Sequence, residues 1–186
     1  MMIKKTIGLS LMSLALLSCG SKQYLINVNQ PKESVRVSSI TQKVGISNLT
    51  LPNYLLKYQI ARQKENHQIE YLSAHQWADR LDSSLKRELI AYLQSYSSNQ
   101  EILNYPWGAL PNLSVDITIN EFIALDREIV LDATVKVYHH QSRRTFIYPI
   151  NEKENFSGED ADIAKAMSHT FTKLSHKIAN ILAKKR

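Results

Sequence analysis

The stretch from residue 113 to 150 constrains the fold most. The run LSVDITINEF alternates Val115, Ile117 and Ile119 with polar neighbours, and EIVLDATVKVYHH repeats the pattern with Ile129, Leu131, Ala133, Val135 and Val137. A period of two places every second side chain on one face of a strand. Asp126 and Arg127 mark a turn between the first two runs, and Gln141 and Ser142 mark another before RRTFIYPI. Three such strands joined by short turns predict an antiparallel meander, whose apolar face needs a cover from elsewhere in the chain.

Two amphipathic segments can supply that cover. Ser73 and Gln76 have capping-box spacing, and Trp77, Leu81, Leu85, Leu89, Leu93 and Tyr96 recur at steps of three or four. This predicts a helix from Ser73, with Asp79, Asp82, Lys86 and Arg87 solvated. A second helix is expected from about Glu159, with Ile163, Met167, Phe171, Leu174, Ile178 and Ile181 on one face. Glu159, Asp160 and Asp162 suit its positive end, and Lys184, Lys185 and Arg186 its negative end.

Earlier in the chain, YLINV from Tyr24, Val35–Val37 and the segment 43–51 read as extended, and Pro52 and Asn53 break the last of them. YQIARQKENHQIEYL reads as a β-hairpin turning at Lys64-Glu65-Asn66-His67, and residues 97–112, with Pro106, Gly108 and Pro111, read as a long connection. The predicted fold is α+β, a mixed, mostly antiparallel sheet with two amphipathic helices packed on one face.

The chain opens MMIKK, and an apolar run from Ile7 to Leu17 follows, interrupted only by Gly8, Ser10 and Ser13. This is the pattern of a signal peptide, since a membrane span needs roughly 20 apolar residues. The run ends in LLSCG, which resembles the lipobox of bacterial lipoproteins. That resemblance implies cleavage after Ser18, a diacylglycerol in thioether linkage on Cys19 and an acylated new amino terminus. The expected organisation is a signal peptide over 1–18, a lipidated anchor and short tether over 19–23, and a single domain over 24–186.

Cys19 is the only cysteine, so its lipidation removes disulfides and thiolate metal ligation from the mature chain. Two or more acyl chains hold a protein stably on a bilayer. In enterobacterial lipoproteins an aspartate after the lipidated cysteine favours the inner membrane; the residue here is Gly20, which by that resemblance favours the periplasmic face of the outer membrane. Removing residues 1–18 leaves 168 of 186 residues, enough for one domain with a real core. The mature charge is mildly positive and lacks a concentrated basic stripe, so nucleic acid is not an expected partner.

No G-x-G-x-x-G, P-loop, H-E-x-x-H or G-x-S-x-G occurs. His169 and His176 are about 10 Å apart along one helix, too far to share a metal ion. His139 and His140 point to opposite faces of a strand. GEDAD at 158–162 suits a helix start better than a calcium loop. Asp126, Glu128 and Asp132 read as solvated strand and turn charges rather than a glycosidase pair. No catalytic residue, metal or cofactor is predicted, apart from the covalent lipid on Cys19. Trp77 reads as core, whereas Trp107, in the Pro/Gly-containing connection, is a candidate contact for a partner or a membrane.

Residues 51–89 resemble the most recognisable stretch of the PqiC-type ABC-transport auxiliary lipoproteins. The resemblance rests on Leu51, Pro52, Tyr54, Leu55, Ile60, Trp77, Ala78 and Asp79, and extends to the early aromatic strand at Tyr24, a strand ending at Phe122 and the closing LSHKIANIL. Lys57, Tyr58 and Arg80 depart from the family's pattern. The resemblance implies a non-enzymatic outer-membrane lipoprotein that works with an MCE-domain protein of the inner membrane in lipid transport between the membranes, as a ring or other homo-oligomer. Leu51, Pro52, Tyr54, Leu55, Ile60 and Trp107 are the candidate partner-binding residues. Two alternatives are a structural lipoprotein serving another outer-membrane assembly and a carboxylate-dependent periplasmic hydrolase.

Overall fold

A computed structural model describes residues 20–29, 39–97 and 101–184. The signal peptide, Cys19, Val35–Val37, Lys185 and Arg186 lie outside the described residues. Among the described residues the architecture is α+β: an eight-stranded mixed sheet with two helices. In chain order these are β1 (Lys22–Tyr24), β2 (Val44–Thr50), β3 (Gln59–Gln63), β4 (Ile69–Trp77), α1 (Leu81–Tyr96), β5 (Ile102–Asn104), β6 (Leu113–Leu125), β7 (Glu128–His139), β8 (Arg144–Asn155) and α2 (Asp160–Ala183).

The meander forms as its alternation predicts. β6 pairs antiparallel with β7 over its whole length, and β7 pairs antiparallel with β8. Ile129, Leu131, Ala133, Val135 and Val137 all point into the core. The turns fall at the expected places, and Asp126 and Arg143 have positive φ angles of 53° and 55°. A β-bulge between Ile119 and Glu121 shifts the alternation by one, so that Phe122 and Ala124 continue the inward row started by Val115, Ile117 and Ile119. β6 runs on to Leu125, three residues past the Phe122 end implied by the family resemblance.

The other edge of β6 is shared. β2 lies parallel along residues 113–118, and β3 lies parallel at Ala124 and Leu125. A 3-10 turn over Asn53–Leu56 links these two strands across the gap. β3 and β4 form the expected hairpin, and β1 adds to β4 in parallel.

Four expectations need correction. The helix predicted from Ser73 begins at Leu81, because Ser73–Trp77 is the end of β4. There Gln76 pairs with both Gln23 and Gln59, and the Trp77 N–H donates to Tyr58 O at 2.7 Å. Pairing on both sides outweighs a local helical pattern whose helix propensity is a weak prior. The strand expected over YLINV is β1, which starts earlier at Lys22 and stops at Tyr24. Beyond it Ile26 and Val28 remain buried, but the chain has left the sheet: Asn27 N–H donates to Ser168 Oγ on α2, and Val28 N–H to the Glu88 carboxylate on α1. The long connection contains a strand, β5, parallel to β2. Finally, Ile181 is only half-buried, while the rest of the predicted α2 face is fully buried.

Both helices cover the same face of the sheet. α1 buries Leu81, Leu85, Leu89, Tyr92, Leu93 and Tyr96, and α2 buries Ile163, Met167, Phe171, Leu174 and Ile178. The two meet where His176 Nδ1 lies 2.8 Å from the Tyr96 hydroxyl and 3.3 Å from that of Tyr92. Burial, then the hydrogen bond from Tyr96, push the Tyr92 hydroxyl well above its usual pKa, so it stays a neutral partner in this cluster. The opposite face of the sheet carries polar side chains such as Asn48, Asp116, Asn120 and Lys136.

Candidate functional site

The lead-in from β2 to β3 gathers most of the residues singled out by sequence. Within the 3-10 turn, Leu55 is buried, and Ile60 on β3 is fully buried. Leu51, Pro52 and Tyr54 are half-buried. The Tyr54 hydroxyl accepts the backbone N–H of Phe122 at 3.2 Å. That N–H lies in the stretch of β6 that neither β2 nor β3 reaches, so the tyrosine takes the place of a missing strand partner. Burial, as the largest influence, raises the Tyr54 pKa. Replacing Tyr54 with phenylalanine should therefore cost about 1–2 kcal/mol, the usual cost of leaving such a donor unpaired. Urea denaturation of the two forms measures this; an unchanged midpoint would show that the hydroxyl supports nothing.

The exposed apolar groups of this region are others. Leu56 is 45% and Tyr58 53% exposed, and Leu25, just past β1, is 62% exposed. Tyr58 and Leu25 border the same strand end, since Trp77 N–H bonds Tyr58 O and Ala78 N–H bonds Tyr24 O. Sequence reasoning passed over them because Leu55 and Leu56 are adjacent in a tight turn: one must face out, and nothing local says which. Lys57 sits 4.0 Å above the Tyr71 ring as a cation–π pair.

Trp107 occupies a second surface. Its indole covers Gly45 of β2 and packs edge-on against Tyr105, with ring centroids 5.1 Å apart. The loop is held at both ends, by Tyr105 N–H to Ile46 O (3.1 Å) and Asn112 N–H to Lys43 O (2.8 Å). Trp107 is thereby half-buried, while Tyr105 and Leu110 beside it are 58% and 70% exposed.

Other polar groups are occupied within the fold. Glu128 pairs with Lys153, Asp132 accepts from Asn120, and Asp126 sits in the β6–β7 turn, so these three acids do not converge on one point. His169 lies near Glu154, and His140 Nε2 bonds the Ser114 hydroxyl at 2.5 Å. No carboxylate orients His140 among the described residues, so the pair lacks the third group of a nucleophilic triad. No cluster of three metal-ligating side chains occurs among the described residues.

An open cleft of about 670 Å³ lies between the β3–β4 turn, the β6–β7 turn and the start of α2. Its charges are mixed, and Arg62 is already committed to Glu70 at 2.5 Å and Asp160 at 2.7 Å. Hydrogen bonds from Arg62 and then Lys64 hold the Glu70 carboxyl below its ordinary pKa. No helix among the described residues is long and apolar enough to cross a membrane.

These features define an α+β domain whose helices cover one sheet face and whose loops hold exposed apolar side chains. The chain belongs to the family described as the ABC-type transport auxiliary lipoprotein component, whose family model matches residues 24–179. Among solved structures it is similar to protein XCC0632 from Xanthomonas campestris, with a TM-score of 0.74 and 10% identity over 87% of this chain and 95% of that one. A crystal structure of an uncharacterized protein aligns with a TM-score of 0.70 and 15% identity, over 88% of this chain and 99% of that one. At these identities the likeness is one of fold. No curated protein matches the chain.

Proposed function

We propose that this chain is an outer-membrane-anchored periplasmic lipoprotein subunit of an MCE-type intermembrane lipid transport system, docking or completing the outer-membrane end of the conduit. The observation that carries this reading is the family match, which spans nearly the whole domain directly after a lipobox at Cys19. The lipid on Cys19 holds the domain at the bilayer, and Gly20 directs it to the outer membrane. The role is one of binding and assembly, as a homo-oligomer, and needs no cofactor. The exposed lead-in side chains Leu56 and Tyr58, beside Leu51 and Pro52, form one contact surface, and the Trp107 loop forms another.

Capture of the full-length lipidated chain from native membranes, with mass identification of proteins and lipids, tests the reading. An MCE-domain protein should co-purify, and Cys19→Ala should abolish cleavage after Ser18 and remove the chain from the outer-membrane fraction. Failure to recover any MCE-domain protein, together with an unchanged lipid balance on deletion, would overturn it.

A further inference from the structure

The sheet fixes which end of the domain faces the anchor. β1 is parallel to β4, and β4 starts at the hairpin, so the chain traced backwards from Lys22 to Gly20 points toward the Lys64–Gln68 turn. β3 pairs in parallel with the last residues of β6, which puts the β6–β7 turn at that same end. β2 starts alongside Leu113, so the Tyr105–Pro111 loop lies at the other end. Followed through the registers, Lys22 is level with Phe122, about nine residues up β6 from Leu113, or roughly 30 Å at 3.3 Å per residue. The tether from Cys19 to Lys22 spans at most about 11 Å.

The far end carries exposed apolar side chains with two arginines to one side. Tyr105 and Leu110 are exposed on either side of Trp107. Asn112, at the end of the loop, accepts the His140 N–H at 3.0 Å, which brings the β7–β8 turn with exposed Arg143 and Arg144 alongside. Neither arginine is in an ion pair among the described residues, and Glu101, beside the start of β2, is paired with Lys43 at 3.3 Å. Exposed apolar groups beside two arginines without an ion-pair partner match a partner of opposite sign with an apolar tip.

We propose that this far end, the Tyr105–Pro111 loop with Arg143 and Arg144, is the docking surface for an acidic, apolar-tipped protein that approaches from the side away from the anchoring membrane. The inference rests on the proposed function for the existence of a protein partner, and on Cys19 as the anchor. The same chemistry would suit an anionic lipid surface, but a short tether at the opposite end keeps the loop away from the membrane that holds the chain.

The test uses the full-length chain in native envelopes, with a photo-crosslinking amino acid at Leu110 or at Ile69, which is 37% exposed at the start of β4 near the hairpin turn. Leu110 should crosslink to the MCE-domain protein, and Ile69 should not. In parallel, the Arg143→Glu/Arg144→Glu double variant and Tyr105→Ala should each lower co-purification of that protein about tenfold or more, the double variant most at low salt. Crosslinking of Leu110 to lipid overturns the inference. So does an absence of protein crosslinks at Leu110 while the wild-type chain still co-purifies with its partner, a result that leaves the proposed function standing. If the wild-type chain captures no MCE-domain protein, this inference fails, and the proposed function fails as well where deletion also leaves the lipid balance unchanged. Circular dichroism of the variants shows that any loss is not one of folding.

Discussion

Replacing Phe171 with alanine should destabilise the domain by about 3–5 kcal/mol, the usual range for a large aromatic deleted from a packed core. Phe171 lies on the sheet-facing side of α2 with no solvent exposure, and its ring centroid is 6.4 Å from that of Phe122 on β6. Phe122 is the first inward residue after the β6 bulge, and its N–H is held by Tyr54. The phenylalanine pair therefore joins the longest helix to the strand on which β2, β3 and β7 all converge. A cavity here loosens all of these at once. Domains of this kind are stable by only about 5–15 kcal/mol, so the variant should unfold at a much lower urea concentration. Phe171→Leu, which keeps most of the volume, should cost far less, about 1 kcal/mol. Equal midpoints for the alanine variant and the wild type would mean that α2 does not pack as described.

Where the pattern is local and long, the sequence was readable. The alternation from Val115 to Val137 sets the meander, and the spacing from Ile163 to Ile178 sets α2, because each repeats many times in a context that does not contradict it. A local pattern misleads where a distant partner decides the outcome. Ser73–Trp77 fits both a helix and a strand, and Trp77 falls one helical turn before Leu81, so the α1 pattern ran on into β4. Only the pairing of Gln76 with both Gln23 and Gln59 resolves it. β5 is not legible in the sequence because three residues show no period, and its partner β2 lies far away in the chain. Among the candidate contact residues, an apolar side chain alone does not reveal whether it faces in or out. Ile60 and Leu55 turned inward, while Leu56, Tyr58 and Leu110 face solvent. Trp107 stood out in the sequence as an indole in a Pro/Gly-containing connection, but the surface it covers, Gly45, did not.

That close approach underlies the second large effect. A Cβ added at Gly45 would lie 2.7 Å from Trp107 Cζ3, 2.8 Å from Trp107 Cε3 and 2.8 Å from Pro111 Cγ. These separations are well inside van der Waals contact, so Gly45→Ala must move something. β2 is held between β5 and β6 by backbone pairing, with Val44 and Ile46 buried on the inner face, so the strand gives way least. The loop crosses the outer face, fastened by the backbone bonds at Tyr105 and Asn112, and Trp107 lifts off. Alanine in a strand gains roughly 0.5–1 kcal/mol over glycine, which offsets part of an overpacking cost of about 1–3 kcal/mol. The net change in stability should be small, and the change in the loop large. Trp77 is buried at 4% exposure, and the chain has only two tryptophans, so a red shift and stronger acrylamide quenching in the variant report on Trp107. If the far end is the docking surface, the same variant should also lose partner capture while keeping its fold and its membrane anchor. An unchanged emission spectrum would mean that β2 yields instead, and partner capture should then be unaffected, because the loop geometry would be intact.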